Sequence, residues 1–420
     1  MNHQHGINRR DFIKTGAATV GGLALNTGNG YSIEQRPRFT CRKGTKLVGI
    51  YSNPNEVLNH PEYLDELQKK LGCNLIILSS GGVNYPEELR RLAPYPPEAK
   101  TWIGIPYNED DGDINRCAEI VHSRGMDMWL SGSGHYDRGL DDSISPVDFN
   151  GELFRNHPLP KYAIEGGTGL CFQRRKVVRW QQNAYPWISG NYDIDGLYLS
   201  HHRYNTPSRY NRLWGCACDD CRRAAHRLGY DFDEMRSTML KLRAGLESLT
   251  AVKVRHAAEL GFTFTDLIQS LADGPGVLDW LEFRAAAFTD TFGAINRSIR
   301  NTTGGRCKFI IDTLNPTFML LVGHDFKSFV GTATDAFYPM AWVDYHYVSI
   351  VASWANALVE DIDGLDEETA LAAVYSLVGW NDIDLPRKRI ADLHIGETGS
   401  QHKIPDFYKG FGKYVGGLMT

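Results

Sequence analysis

From residue 46 onward, short apolar runs rich in β-branched residues alternate with amphipathic stretches, and this alternation constrains the fold more than any other feature of the chain. Buried parallel strands read as runs of this kind, and helical patterns between them imply βαβ units. Candidate strands cover 46–51, 74–79, 126–131, 195–200, 308–312, 335–341, 372–378 and 414–420, and helical patterns cover 61–71, 113–124, 174–188 and 278–300. Eight units predict an α/β fold of the (β/α)8 TIM-barrel type over 45–420. Residues 201–306 carry only helical and loop patterns, which predicts a mostly helical insertion after the fourth strand. Leu47, Val48, Ile50, Leu75, Ile76, Ile77, Leu197, Leu199, Phe309, Ile310, Phe337 and Val374 are the expected core. A doubly wound sheet would want a glycine-rich phosphate turn after the first strand, and Tyr-Ser-Asn-Pro-Asn at 51–55 is not one. The chain stops inside the presumed eighth strand, which reads as a fragment of a longer protein.

The 420 residues are 42% hydrophobic and 23% charged, ordinary values for a globular chain. The net charge of −5 argues against nucleic acid as a partner, because phosphate binding needs a basic surface. Residues 9–14 read Arg-Arg-Asp-Phe-Ile-Lys before an apolar run from Thr15 to Leu25. The pattern resembles a twin-arginine export signal. That resemblance implies a leader over 1–30, the twin-arginine translocation machinery as a partner, and a periplasmic or secreted protein that crosses the membrane folded. The run is too short and too rich in glycine and alanine for a stable membrane span.

In a barrel the chemistry lies at the carboxyl ends of the strands. The groups there are Ser79, Ser80 and Asn84; Ser131 to Asp137 with His135 and Tyr136; Ser200, His201, His202, Arg203 and Tyr204; Asp312 and Asn315; Trp342, Asp344, Tyr345 and His346; Trp380, Asn381 and Asp382. Indole and phenol rings stack on pyranose faces while carboxylates, amides and imidazoles bind hydroxyls, so the set suits a sugar. His135, His201, Tyr204, Trp342, Trp380 and Asn381 are the candidate binding groups. Asp193 and Asp195 lie at the entry to the fourth strand and Asp335 at the start of the sixth, and all three read as turn and stability residues at the barrel's opposite end.

Three segments together resemble glycoside-hydrolase barrels, in particular the family-10-like glycosyl hydrolases. They are Asn-Tyr-Asp-Ile-Asp-Gly-Leu-Tyr-Leu-Ser at 191–200 with Arg203 and Tyr204, Leu-Asp-Trp-Leu-Glu-Phe-Arg at 278–284, and Phe-Tyr-Pro-Met-Ala-Trp at 337–342. The resemblance implies a carbohydrate substrate and an acid ending the fourth strand, where this chain has Ser200, His201 and His202. Glycosidases usually use two carboxyl groups facing each other across the bond. Asp382 is therefore the expected acting carboxylate, with Asp312 and Asp344 as competitors. His202 is its expected proton-transfer partner, since imidazole titrates near neutrality. Loops 80–112 and 132–173 should wall the cleft. The rival readings are a carbohydrate-binding barrel without catalysis, in which the histidines form a polar rim, and a metal-dependent hydrolase using His135, His201 or His202 with Asp312.

Cys216, Cys218 and Cys221 put three thiols within six residues, and a tetrahedral zinc needs one more ligand. The spacing resembles the cluster of family 42 β-galactosidases, where an earlier cysteine completes the site. By that resemblance Cys171 is the fourth ligand of a structural zinc, with Cys117 and His226 as weaker candidates. Disulfide pairing in an oxidising compartment is the alternative.

Overall fold

The structure, a computed structural model, describes residues 47–79, 81–94, 104–134, 142–157, 161, 170–205, 209–210, 215–271, 276–315, 317–336, 338–340 and 348–395. The expected leader, the presumed eighth strand, Phe337, His135, Trp342 and Asp344 lie outside them.

Six parallel strands follow one another in space in the same order as in the chain. They are β1 (Gly49–Ser52), β2 (Leu75–Leu78), β3 (Asp127–Ser133), β4 (Gly196–Ser200), β5 (Lys308–Thr313) and β6 (Tyr338–Pro339). A doubly wound sheet reverses its strand order at a switch point, and this sheet does not. The result is a half-barrel. Side chains alternate across it with period two. Leu75, Ile77, Trp129, Tyr198 and Ile310 meet on one face with Ala336 and Tyr338 packed against them, whereas Ile76, Leu78, Met128, Leu130, Leu197, Leu199, Phe309 and Ile311 join the helices on the other.

The helices are α1 (Pro54–Asn59), α2 (Glu62–Leu71), α3 (Glu87–Leu92), α4 (Gly112–Ser123), α5 (Arg175–Asn191), α6 (Asp219–Leu228), α7 (Phe232–Glu247), α8 (Ala251–Leu260), α9 (Phe264–Leu271), α10 (Gly276–Thr303), α11 (Phe326–Phe329), α12 (Ser349–Asp361) and α13 (Glu367–Leu377). Their ends carry local signals. Asn53 accepts the Glu56 N–H at the start of α1, and Gly72 closes α2 at φ 66° with Lys69 and Lys70 in the last turn. Five helices, α6 to α10, separate β4 from β5.

Buried apolar groups fall into two large clusters rather than the single core expected of a plain barrel. One lies between the sheet and α4, α5 and the second half of α10, and the other joins α6 to α8, α12 and α13. The 28-residue α10 serves both: Trp280 and Phe283 enter the helical cluster, while Phe292 and Ile299 enter the sheet cluster. Two further expectations need correction. Leu47 is exposed and Val48 and Ile50 are half-buried, because β1 is the outermost strand of the described sheet. The run 372–378 is not a strand but the second half of α13, capped by Asp366 accepting the Thr369 N–H. Val374 is buried as expected, but in a helix. Asp195 and Asp335 hold the amino ends of the strands: Asp195 accepts the Met128 N–H and pairs with His122, and Asp335 accepts the Phe309 N–H.

Candidate active site at the strand ends

On the inner face, Tyr198 and Ile310 are each followed two residues on by a polar group, Ser200 and Asp312. Both polar groups stand at the carboxyl ends of their strands. Asp312 is fully buried. Its Oδ2 accepts the Ser200 hydroxyl at 2.6 Å and the Tyr198 phenol at 3.1 Å, and its Oδ1 accepts the His201 N–H at 2.9 Å. Tyr338 pairs with it in register on β6. Tyr51 and Tyr338 meet the Tyr198 ring edge-on, with centroids 5.9 and 5.2 Å away. Tyr51 is exposed, and Ser200, His201 and Tyr338 are half-buried, so the cluster is open on that side.

Burial pushes the Asp312 carboxyl up from its ordinary value, and the Arg203 charge and the three donors only partly oppose it. Burial likewise raises the Tyr198 and Tyr338 phenols, with the Asp312 charge adding to the effect. Ser200 Oγ also lies 2.7 Å from His201 Nδ1. A serine has one proton, so when Asp312 is ionised Ser200 donates to it and accepts from Nδ1–H. A hydrogen-bonded path therefore runs from half-buried His201 through Ser200 to buried Asp312.

His201 reaches this place because it takes φ 59°, a left-handed conformation that costs a non-glycine residue of order 1 kcal/mol. The turn directs its N–H onto Asp312 and is backed by Gly134, whose N–H donates to the Ser200 carbonyl at 2.7 Å. A Cβ on Gly134 would stand 2.3 Å from the His201 carbonyl oxygen. Gly134→Ala should therefore separate the ends of β3 and β4 and cost about 1–3 kcal/mol, measurable as a lowered melting temperature.

The expected site residues part company here. Asp312 and His201 come together. His202 turns the other way and is sealed: it is fully buried, with Nε2 at 2.9 Å from the Tyr185 hydroxyl and Nδ1 at 3.1 Å from the Ser200 carbonyl. Phe172 stacks on its ring at 5.3 Å, and Phe292 meets it at 5.8 Å. With both ring nitrogens engaged and its ring packed among aromatics of the helix-side cluster, it is not placed as the proton-transfer partner of Asp382. Tyr204 is buried beneath the Arg284 guanidinium, 4.4 Å from its ring, and Trp380 is buried against Phe318. Neither is a stacking surface for a sugar. Asn381 and Asp382 are exposed in the turn after α13, not at a strand end. Tyr51, Tyr198 and Tyr338 were not among the expected groups. Inward parity with Ile310 and Trp129 is the signal that identifies them.

The same end of the sheet carries an oxygen-lined concavity of about 450 Å³, bounded by Asn53 and Asn55 after β1, Gly82 after β2, and Asn108, Asp110 and Asp111 before α4.

The thiols of Cys171, Cys216, Cys218 and Cys221 form a second centre, all buried and all within 4.8 Å of one another. Cys171 Sγ lies 3.7 Å from Cys218 Sγ and 3.5 Å from Cys221 Sγ. A tetrahedral metal with bonds of about 2.3 Å to sulfur separates its ligands by about 3.8 Å, so the set fits such an ion. None of the described cysteines forms a disulfide. Cys218 caps α6, Cys221 lies in its first turn, and the Val147 N–H donates to Cys216 Sγ at 3.1 Å.

No family model matches the chain, and no curated protein matches it. Among solved structures it is similar to the glycoside hydrolase domain of PgaB (BpsB) from Bordetella bronchiseptica, at 10% identity over 76% of this chain and 81% of that one, with a TM-score of 0.45. It is also similar to a β-galactosidase from Bacillus circulans at 12% identity over 73% and 43%, TM-score 0.40. An α-L-fucosidase from Paenibacillus thiaminolyticus gives 12% identity over 65% and 33%, TM-score 0.32. The chain spans less than half the length of that galactosidase and of that fucosidase.

Proposed function

We propose that this chain is an exported carbohydrate-active enzyme, a glycoside hydrolase of the (β/α)8-barrel type acting on a poly- or oligosaccharide. The observation that carries the reading is Asp312, a buried carboxyl raised from its ordinary value at the carboxyl end of an inner-face strand and flanked by three tyrosines. A leaving glycosidic oxygen needs an acid to protonate it, and burial, which raises the Asp312 carboxyl, favours the protonated form such an acid requires. Exposed Tyr51 and half-buried Tyr338 supply stacking surface, and the polar concavity at the same end of the sheet has room for further sugar hydroxyls. His201 would exchange the proton with solvent through Ser200. The second carboxyl that hydrolysis needs is proposed to be Asp344, with Trp342 and His135 kept as proposed binding groups; all three lie outside the described residues.

The test is a panel of plant and algal glycans, read as released reducing ends. Release from one of them by the wild type, abolished in Asp312→Asn with binding retained, is the expected result. Binding without release by the wild type would sink the enzyme and favour a barrel that only binds sugar. The metal-dependent hydrolase loses His202 as a ligand, since both its ring nitrogens are engaged within the core, and is left with His135 or His201 beside Asp312.

The four-thiol cluster is proposed to hold a structural zinc acquired before export. With four thiolates the coordination sphere is full, so the ion would supply no reaction chemistry and would tie the segment after β4 to the Cys171 loop. Export is proposed to depend on the arginine pair as an address. Arg9→Lys together with Arg10→Lys should leave the protein in the cytoplasm, and normal export of that variant would overturn the assignment.

A further inference from the structure

The loop between β3 and α5 gathers Asp148, Glu152 and His157 so that one ligand atom from each lies within 4.8 Å of the others. The His157 side chain is more than nine-tenths buried, yet its Nε2 has no hydrogen-bond partner. It lies 3.5 Å from Asp148 Oδ2 and 3.4 Å from Glu152 Oε2. Both separations are too long for an N–H···O hydrogen bond, which spans about 2.7–3.2 Å. They match the edge of a tetrahedron around an ion with bonds of about 2.0–2.2 Å, which is about 3.4 Å.

We infer that Asp148, Glu152 and His157 form a second metal site, for zinc or a similar late first-row divalent cation. An imidazole with two carboxylates suits such an ion and disfavours calcium or magnesium, which take oxygen ligands. Asp148 is prepared for the role. Its Oδ1 accepts the N–H groups of Asn150 at 2.8 Å and Glu152 at 2.9 Å, and Arg243 Nη1 donates to Oδ2 at 3.1 Å. A carboxylate oxygen accepts in two directions, so Arg243 leaves Oδ2 one lone pair for the ion and orients the group, as outer partners of metal ligands do. Glu152 is half exposed, so the fourth position faces solvent and would hold water. The site adjoins the thiol cluster through Val147, whose N–H donates to Cys216 Sγ and whose carbonyl accepts the Ala217 N–H at 2.7 Å.

Reconstitution of the full chain with cobalt(II) separates the two centres, because thiolate ligation gives an intense charge-transfer band that nitrogen and oxygen ligands do not. The wild type should bind two equivalents, one with that band and one without. Folded His157→Ala and Glu152→Ala should each lose the equivalent without the band and keep the other. Glu152 is exposed enough that its variant tests the site even if His157→Ala fails to fold. Retention of every bound equivalent in Glu152→Ala would overturn the proposal and leave an ion-pair network. Loss of the thiolate band alone would count against the four-cysteine centre and not against this one.

Discussion

Asp312→Asn is expected to lower the rate of reducing-end release by about 10²–10⁴-fold, the usual worth of a positioned proton-transfer group. The amide keeps the shape of the carboxyl, and the Ser200 and Tyr198 hydroxyls can rotate to accept where they now donate, so fold and sugar binding should survive. The pH profile gives a second readout. A carboxyl acting as acid works in its protonated form, so activity should fall as pH rises through its raised pKa, and Asp312→Asn should abolish that limb. Stability follows the same sign. The folded state holds this proton more tightly than the unfolded chain does, so the contribution is complete at low pH and is lost as pH rises through the folded value. An Asp312→Asn protein with undiminished turnover would remove Asp312 from the chemistry.

With the proposed zinc in the four-cysteine centre, its removal, or replacement of Cys171 with serine, is expected to lower the melting temperature by more than about 10 °C. Structural zinc in thiolate-rich sites binds with apparent free energies of about 10–16 kcal/mol, and at this size each lost kcal/mol moves the midpoint by about 2–4 °C. The cluster joins the loop before α5 to the start of α6 and sits within the helical core, so its loss should loosen that whole layer. Protons compete with the ion for thiolate, so the stabilisation should weaken as pH falls. Metal content of the purified protein checks the assignment. A metal-free protein with two disulfides among these four residues would refute it.

The sequence alone determined the six sequential strands, the helices after the first four of them, the stabilising aspartates Asp195 and Asp335, and the thiol spacing. Each rests on information carried within a few residues, in periodicity, capping or chelate spacing. The run 372–378 misled because a short apolar stretch buried on most sides reads alike as strand or helix. The local evidence against a strand was the Asp366 cap followed by Glu367 and Glu368. Among the site residues only the tertiary structure decided. In the runs 197–200 and 308–312 both parities carry apolar residues, so polarity puts Ser200 and Asp312 at strand ends, but the parity that marks Tyr198 as inward shows only once the strands are paired. The curvature of the sheet selects Tyr198, Ser200 and Asp312. His201 and His202 are neighbours of one type, and the left-handed turn at His201 sends one toward Asp312 and the other into an aromatic core between Tyr185 and Phe172. That choice depends on Gly134 from another strand and on a carboxylate more than a hundred residues away, contacts that no local pattern encodes.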